Sequence, residues 1–458
     1  CHRLDPRAGP GSSLMALSWR ASIPIFLGVI PLFFFPTWGF IVGWVVLCAC
    51  LWAFDAYLAP SPRQLVIERS IDTPIAMDSP GHSRLSLRSA LPMRVDVRDA
   101  WPPSAHPTPY SHSCELDADV PMPLTTLLQL ERRGSVRADY VTIRSWGPLG
   151  MAARQASIAA PLTLTALPPF RAKRLLPSRL ARLHELEGTT ATILRGPGTE
   201  FDSLREYVRG DDPRDIDWRA SARSKDLVVR TWRPERDRHV MIVVDTGRSG
   251  AMLLGEPQEK DLGDKDLVEL GVAPRLDAEI EAALLLGVLA DRAGDQVHLL
   301  ALDRSIHEDL AQARGGNLIS EAAQAFSRVQ PSLLPLDWQM VVSSVEKRMH
   351  HPGLVVLLTE IPPAATDADF SEAIAALSKR HRVVVAGARD PELGRMERDW
   401  SDAASAFTAA AASATIRDLD AGANDARALG AYVVDCDAGF LPARLADTYI
   451  ALKKAGKL

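Results

Sequence analysis

Two groups of oxygen-bearing side chains in this 458-residue chain could do chemistry. The first lies at the ends of two apolar runs. HVMIVVD ends in Asp245 and continues Thr246-Gly247-Arg248-Ser249, and LVVLL is followed by Thr359-Glu360. A hard cation such as Mg2+ takes carboxylate and hydroxyl oxygens and usually keeps several waters. Asp245, Ser249, Thr359 and Glu360 are therefore a candidate Mg2+ site. The same residues also suit a purely structural role, with Asp245 and Ser249 capping the elements that follow and Thr359-Glu360 in an exposed loop.

The second group is Gly196–Arg223, GPGTEFDSLREYVRGDDPRDIDWRASAR. Clustered carboxylates at Asp211–Asp217 could hold a divalent ion for hydrolysis. The spacing DDPRDID, however, lacks the Gly and the terminal Glu of an EF-hand loop. Between Arg205 and Arg238 there are ten basic and eight acidic side chains. That near balance predicts internal ion pairing, with carboxylates fixing arginines through two-pronged bonds, rather than a track for phosphates. Phe201, Leu204, Tyr207, Ile216 and Trp218 are expected to pack beneath. Gly196-x-Gly198 is not a phosphate loop, since no Lys-Ser/Thr follows. No nucleophile–base constellation stands out.

The elements that must position the first group alternate strand and helix. Strands are expected at His239–Asp245, Gln296–Leu302, Leu354–Leu358, Arg382–Ala386 and Ala431–Asp435. Helices are expected at Leu276–Ala293, Trp338–Met349, Phe370–Lys379 and Leu441–Leu452. Continuous apolar strands are typical of a parallel sheet buried on both faces. The alternation predicts a doubly wound α/β domain over residues 238–458, with ligands at the carboxyl ends of the strands. The Ala-rich run Asp402–Thr415 reads as an exposed helix or a connection.

Residues 61–170 read differently. Short runs at Gln64–Glu68, Arg84–Leu87, Met93–Val97, Tyr140–Ile143 and Leu162–Leu164 alternate apolar and polar residues between Pro and Gly. That is the pattern of a β-sandwich-like module. His82, His106 and His112 have no metal-ligand spacing.

Upstream, the 33 residues Ser22–Phe54 carry no charge. One span takes about 20 residues, so the reading is a transmembrane helical hairpin, Ser22–Phe35 and Trp38–Tyr57, with a turn at Pro36-Thr37. Trp19, Trp38, Trp52 and Tyr57 suit the membrane interfaces. Arg3, Arg7, Arg20, Arg63 and Arg69 flank the run and assign both ends to the cytoplasm. A single tilted span would instead put the C-terminal bulk outside. The sequence starts at Cys1; a lipidated terminus and a true start at Met15 are both consistent with it.

Composition narrows the classes. The net charge of −5 argues against a nucleic-acid binder. Five scattered cysteines without a CxxC pair exclude a disulfide scaffold and a cysteine zinc site. A mean hydropathy of −0.02 averages the apolar run with a polar remainder.

Gly198–Arg223 resembles the signature of the MoxR-associated "domain of unknown function fifty-eight" proteins. The signature positions are Glu200, Phe201, Arg205, Tyr207, Gly210, Asp211, Asp212, Arg214, Asp217, Trp218, Ser221 and Arg223. Glu131–Gly134 and Gly147–Gly150 are similar to upstream turns of that family, and Asp245–Ser249 stands where it has a von Willebrand factor A-like metal motif. The motif of such domains is Asp-x-Ser-x-Ser; here the middle Ser is Gly247, so one hydroxyl is missing.

The resemblance implies a non-enzymatic protein of the bacterial inner membrane, anchored through residues 22–57 with its bulk in the cytoplasm. It also implies a von Willebrand factor A-like domain and a role as partner or adaptor of a MoxR-type AAA+ ATPase acting on an unknown protein client. The expected organisation is 1–60 for the N-terminal segment and spans, 61–170 for the β module, 171–237 for a linking signature segment, and 238–458 for the α/β domain. The other readings are a metal-dependent hydrolase using Asp211–Asp217, or a surface adhesion module.

Overall fold

The computed structural model describes residues 14–34, 37–190, 200–208, 211–223, 226–233, 238–313, 317–362 and 367–458. The chain divides into two compact units, Cys1–Pro169 and Phe170–Leu458.

In the first unit, two β-sheets form a sandwich. One contains Leu14–Leu17, Ala152–Leu167, Gly134–Trp146, Met93–Asp99 and His112–Leu116 in that order, with Ile75–Ala76 beside Ala152–Leu167. The other contains Val66–Ile71, Gly81–Arg88 and Met122–Leu128. Alternation decides which side chains enter the core: Leu85 and Leu87 from one sheet join Val95, Val97, Val141 and Ile143 from the other. Through this core runs a buried ion pair, Arg69–Asp99, at 2.5 Å. Asp99 also accepts from Ser83 Oγ at 2.5 Å and Trp101 Nε1 at 2.8 Å. Arg69 donates to the carbonyls of Ala138, Tyr140 and Ala160. His106 pairs with Glu131, and His112 with Thr126.

The apolar segment is uneven. The stretch Trp38–Gln64 is, among the described residues, the one long and apolar enough to cross a membrane. The preceding stretch, Trp19–Phe34, is shorter than a span and is broken into helices Ser22–Leu27 and Val29–Phe34. Gly28 and Pro31 account for the break: glycine weakens a helix, and proline has no amide to bond the previous turn. Gly28 is required by packing, since a Cβ there would lie 2.1 Å from Trp44 Nε1. Trp44 Nε1 donates to the Pro24 carbonyl at 3.0 Å. So the expected second span matches a spanning-length helix and the expected first one does not. Phe35 and Pro36 lie outside the described residues.

Both ends of this segment return to one β-turn. Leu17 pairs with Ala152, Ser18 N donates to Met151 O at 2.9 Å, and Ser18 Oγ donates to Gly150 O at 2.6 Å. Asp55, buried near the end of helix Trp38–Leu58, accepts from the amides of Leu149, Met151 and Ala152 at 2.7–2.8 Å. Gly147 allows that approach, because a Cβ there would fall 2.3 Å from the Asp55 carboxylate.

The second unit is built on one six-stranded sheet. Its strands are β1 (His239–Asp245), β2 (Gln296–Leu302), β3 (Ile306–Ala313), β4 (Leu354–Leu358), β5 (Arg382–Arg389) and β6 (Tyr432–Asp437). They lie in the order β3-β2-β1-β4-β5-β6, all parallel except β3 against β2. This is a doubly wound sheet that switches direction beside β1. Val240, Ile242 and Val244 face helices Arg275–Arg292, Leu318–Arg328 and Leu441–Lys454. Met241 and Val243 face Trp338–Arg348 and Ala368–Ser378. A strand covered on both sides is apolar along its middle, which is why Val240 to Val244 form an unbroken apolar run.

The first residues of the expected linking segment pack on the α/β core. Helix Leu176–Thr190 buries Leu176 and Leu183 in the core that contains helix Arg275–Arg292. Buried Glu281 accepts from the amides of Arg171 and Ala172 at 3.0 Å each. The Ala-rich run belongs to a long helix, Ala403–Ala428, capped by Asp402.

Candidate functional site

The strand ends do converge. Asp245 ends β1, and Thr359-Glu360 follows β4, its parallel neighbour at the switch point. Asp245 Oδ1 accepts from Gly247 N at 2.7 Å, while Oδ2 accepts from Ser249 Oγ at 2.5 Å and Thr359 Oγ1 at 2.7 Å. Burial pushes the Asp245 carboxyl up, against the pull of these hydrogen bonds and of nearby Arg275.

Glu360 does not join them. It is bound to Arg275 at 2.8 Å. Arg275 opens helix Arg275–Arg292 and is 4% exposed. Its other donors reach Ser249 O at 3.1 Å, Ala388 O at 3.0 Å and Met252 Sδ at 3.4 Å. One turn on, Glu279 is fully buried, and neither of its carboxylate oxygens has a hydrogen-bond partner. Burial, then repulsion from Asp245, raises its carboxyl well above the ordinary value.

Sequence reasoning missed Arg275 and Glu279. The available signal was an Arg and a Glu four residues apart at the start of a helix that is otherwise nearly all buried.

The loop after helix Leu318–Arg328 closes over Gly247. Leu334 O accepts from Arg248 N at 2.8 Å, and Ser332 N donates to Thr246 O at 2.7 Å. Asp303, just past β2, holds this loop by accepting from Ser332 Oγ at 2.7 Å, and it also pairs with His307 at 3.0 Å. Burial acts to raise the Asp303 carboxyl, but bonds from Ser332, His307 and Ser305 N outweigh it and hold it well below the usual range. A Cβ on Gly247 would meet Leu334 O at 2.7 Å, so the missing hydroxyl has no room here.

The signature folds as an antiparallel hairpin, Glu200–Glu206 with Val228–Arg233, and a one-turn helix, Trp218–Ser221. Glu200 and Phe201 pair with Arg233 and Trp232. Gly210 lies outside the described residues, as does Gly196-x-Gly198. Asp211 takes a two-pronged bond from Arg205, at 2.6 and 2.8 Å. Asp217 caps the short helix through Arg219 N and Ala220 N and accepts from Arg230 Nε at 2.9 Å. The backbone bond from Ala220, then the bond from Arg230, hold the Asp217 carboxyl below its ordinary value.

Asp212 accepts from Arg214 N at 2.9 Å, and Ser221 Oγ accepts from Val228 N at 2.9 Å. Tyr207 is half-buried, its amide bonded to Leu227 O at 2.8 Å, and Arg223 is exposed. The carboxylates are thus spread over caps and ion pairs. Among the described residues no three His, Cys, Asp or Glu side chains are grouped to hold a metal.

One expectation fails clearly. Trp218 does not pack beneath the signature: it is 68% exposed, and Leu204, from the same expected packing set, is exposed as well. Asp217 is committed to the cap and to Arg230, which fixes the helix so that Trp218 projects outward.

A solved structure titled "Crystal Structure of the SpRpn10 VWA domain" is similar at 10% identity, covering 46% of this chain and 94% of that one, with a TM-score of 0.28. No curated protein matches the sequence. Residues 203–424 match the family described as "Protein of unknown function DUF58", a span that runs from the signature hairpin into helix Ala403–Ala428. That match assigns residues 203–424, a little under half of the chain, to the DUF58 family.

Proposed function

We propose that this DUF58 protein is a membrane-anchored, non-enzymatic interaction protein, the partner or adaptor of a MoxR-type AAA+ ATPase. The observation that carries the reading is the 68% exposed Trp218 on a one-turn helix held by the Asp217 cap and the Arg230–Asp217 pair, with Leu204, Val208 and Leu227 also exposed in the same stretch of chain. Exposed tryptophan on a rigid frame is the usual core of a protein-binding hot spot. Engagement of Asp211, Asp212 and Asp217 in caps and pairs weighs against the hydrolase alternative.

The anchor is proposed to be a helical hairpin in the bacterial inner membrane, with the bulk of the chain in the cytoplasm. Support comes from the turn at Leu149–Ala152, which holds both Ser18 and Asp55. An apolar segment that leaves and re-enters at one turn has both ends on one side, which disfavours the single-span adhesion reading. Large exposed apolar residues along it, among them Phe33, Trp38 and Phe54, suit lipid surroundings.

Co-purification from solubilised membranes tests the partner. The full-length protein is expected to recover an AAA+ ATPase of the MoxR type, and Trp218→Ala to lose most of it. Recovery that is absent with the wild type, or unchanged by the variant, would sink the reading. Protease added to intact cells tests the topology: cleavage of the α/β domain from outside would favour the adhesion module.

A further inference from the structure

We infer that a guanidinium closes the crevice of the α/β domain and that no divalent cation binds there: Arg275 supplies from within the chain the positive charge that these strand-end oxygens would otherwise draw from an ion. The inference stands on crevice geometry alone and holds whether or not a partner docks nearby.

Three observations carry it. First, the donor set is divided. Ser249 Oγ and Thr359 Oγ1 both donate to one atom, Asp245 Oδ2, while Glu360, the remaining carboxylate of the four candidates, is taken by Arg275. Releasing Glu360 to an ion would leave a buried guanidinium unpaired beside a double positive charge, which is a costly arrangement. Second, Arg275 is a built part of the site. It is buried, and it ties the Ser249 and Ala388 carbonyls to Glu360, joining the loop after β1 to the ends of β4 and β5.

Third, the cradle is shut where another hydroxyl ligand would be. A Cβ added to Gly247 would lie 2.7 Å from Leu334 O and 3.2 Å from Leu336 N. Glu279 offers two unpartnered oxygens nearby, but it is wholly buried, and among the described residues no trio of acidic, His or Cys side chains is placed around it as a ligand set.

The test uses the full-length protein in detergent, stripped with EDTA and titrated calorimetrically with MgCl2 and MnCl2. It is also melted with and without millimolar Mg2+. The wild type is expected to give no saturable heat and an unchanged melting midpoint. An ion bound at micromolar affinity would raise that midpoint by roughly 10 °C. Arg275→Met, which frees Glu360 and Ser249, is expected to melt at least about 5 °C lower and to regain part of that loss with Mg2+.

Saturable wild-type heat that Asp245→Asn abolishes overturns the inference, and that arm does not depend on whether the Arg275 variant folds. A folded Arg275→Met that stays silent to both ions overturns the role given to Arg275. Glu360→Gln, which keeps the guanidinium, is expected to stay silent; a metal response from it also counts against the inference.

Discussion

Asp99 in the β-sandwich and Glu279 beneath the α/β crevice are both buried carboxylates close to an arginine, yet their surroundings differ completely. Asp99 receives Arg69, Ser83 and Trp101. Glu279 receives nothing, because Arg275 is turned toward Glu360 and the loop carbonyls. A buried charge is tolerable when paired and hydrogen-bonded; an unpaired carboxyl takes up a proton instead. At Asp99 the sandwich uses a buried carboxylate to hold one arrangement. The crevice leaves an acid unmatched, which is a common mark of a region shaped by something other than stability.

The contrast can be broken at the sandwich end first. Arg69→Met strands Asp99 and should cost about 3–5 kcal/mol, read as an earlier unfolding transition in urea; a loss below about 1 kcal/mol would mean the cluster is not closed. Next, Asp55→Ala removes a charged acceptor from three amides and should cost about 2–3 kcal/mol. Hydrogen exchange at Leu149, Met151 and Ala152 should speed up while the amides of β1 keep their protection. Unchanged exchange would detach the apolar segment from that turn.

On the crevice side, Gly247→Ser forces Leu334 and Leu336 away and should destabilise by about 1–3 kcal/mol, with faster proteolysis near Leu333. A neutral effect would show that the loop is free to move.

The smallest effect is at Glu279. Its folded carboxyl is raised, so above pH 4.5 the unfolded chain ionises it while the folded state keeps the proton. The folded state then binds more protons, and stability falls as pH rises through that window. Glu279→Gln should therefore match the wild type near pH 4 and be the more stable of the two at pH 7, a difference that thermal melts at about those two values would reveal. Equal stability at both would show that Glu279 finds a partner.

Much of this was legible in the chain. The runs at His239–Asp245 and Leu354–Leu358 announced their strands because parallel strands covered on both faces are apolar along their middle. The edge strand Ile306–Ala313 escaped notice: as IHEDLAQA, at the rim of the sheet, it has no continuous apolar signal. The upstream strands His112–Leu116 and Met122–Leu128 were missed as well, since short half-polar runs between prolines resemble loop.

At the signature, charge balance correctly predicted internal pairing. Asp211 takes Arg205, and the Ile216–Val229 bridge brings Asp217 beside Arg230. Trp218 was misjudged since residue type reports affinity for burial and not the side on which a capped turn will project it.

By itself the sequence determined the apolar segment, the class of each unit, and the meeting of Asp245 with Thr359. These follow from local periodicity and from the rule that a doubly wound sheet gathers its strand ends at the switch point. Only the tertiary structure decided that Asp55 is gripped by the Leu149–Ala152 turn, that Trp218 faces out, and that Arg275 takes Glu360. Each of those depends on which of several chemically equivalent partners long-range packing brings within about 3 Å, the reach of a hydrogen bond, and spacing along the chain does not encode that choice.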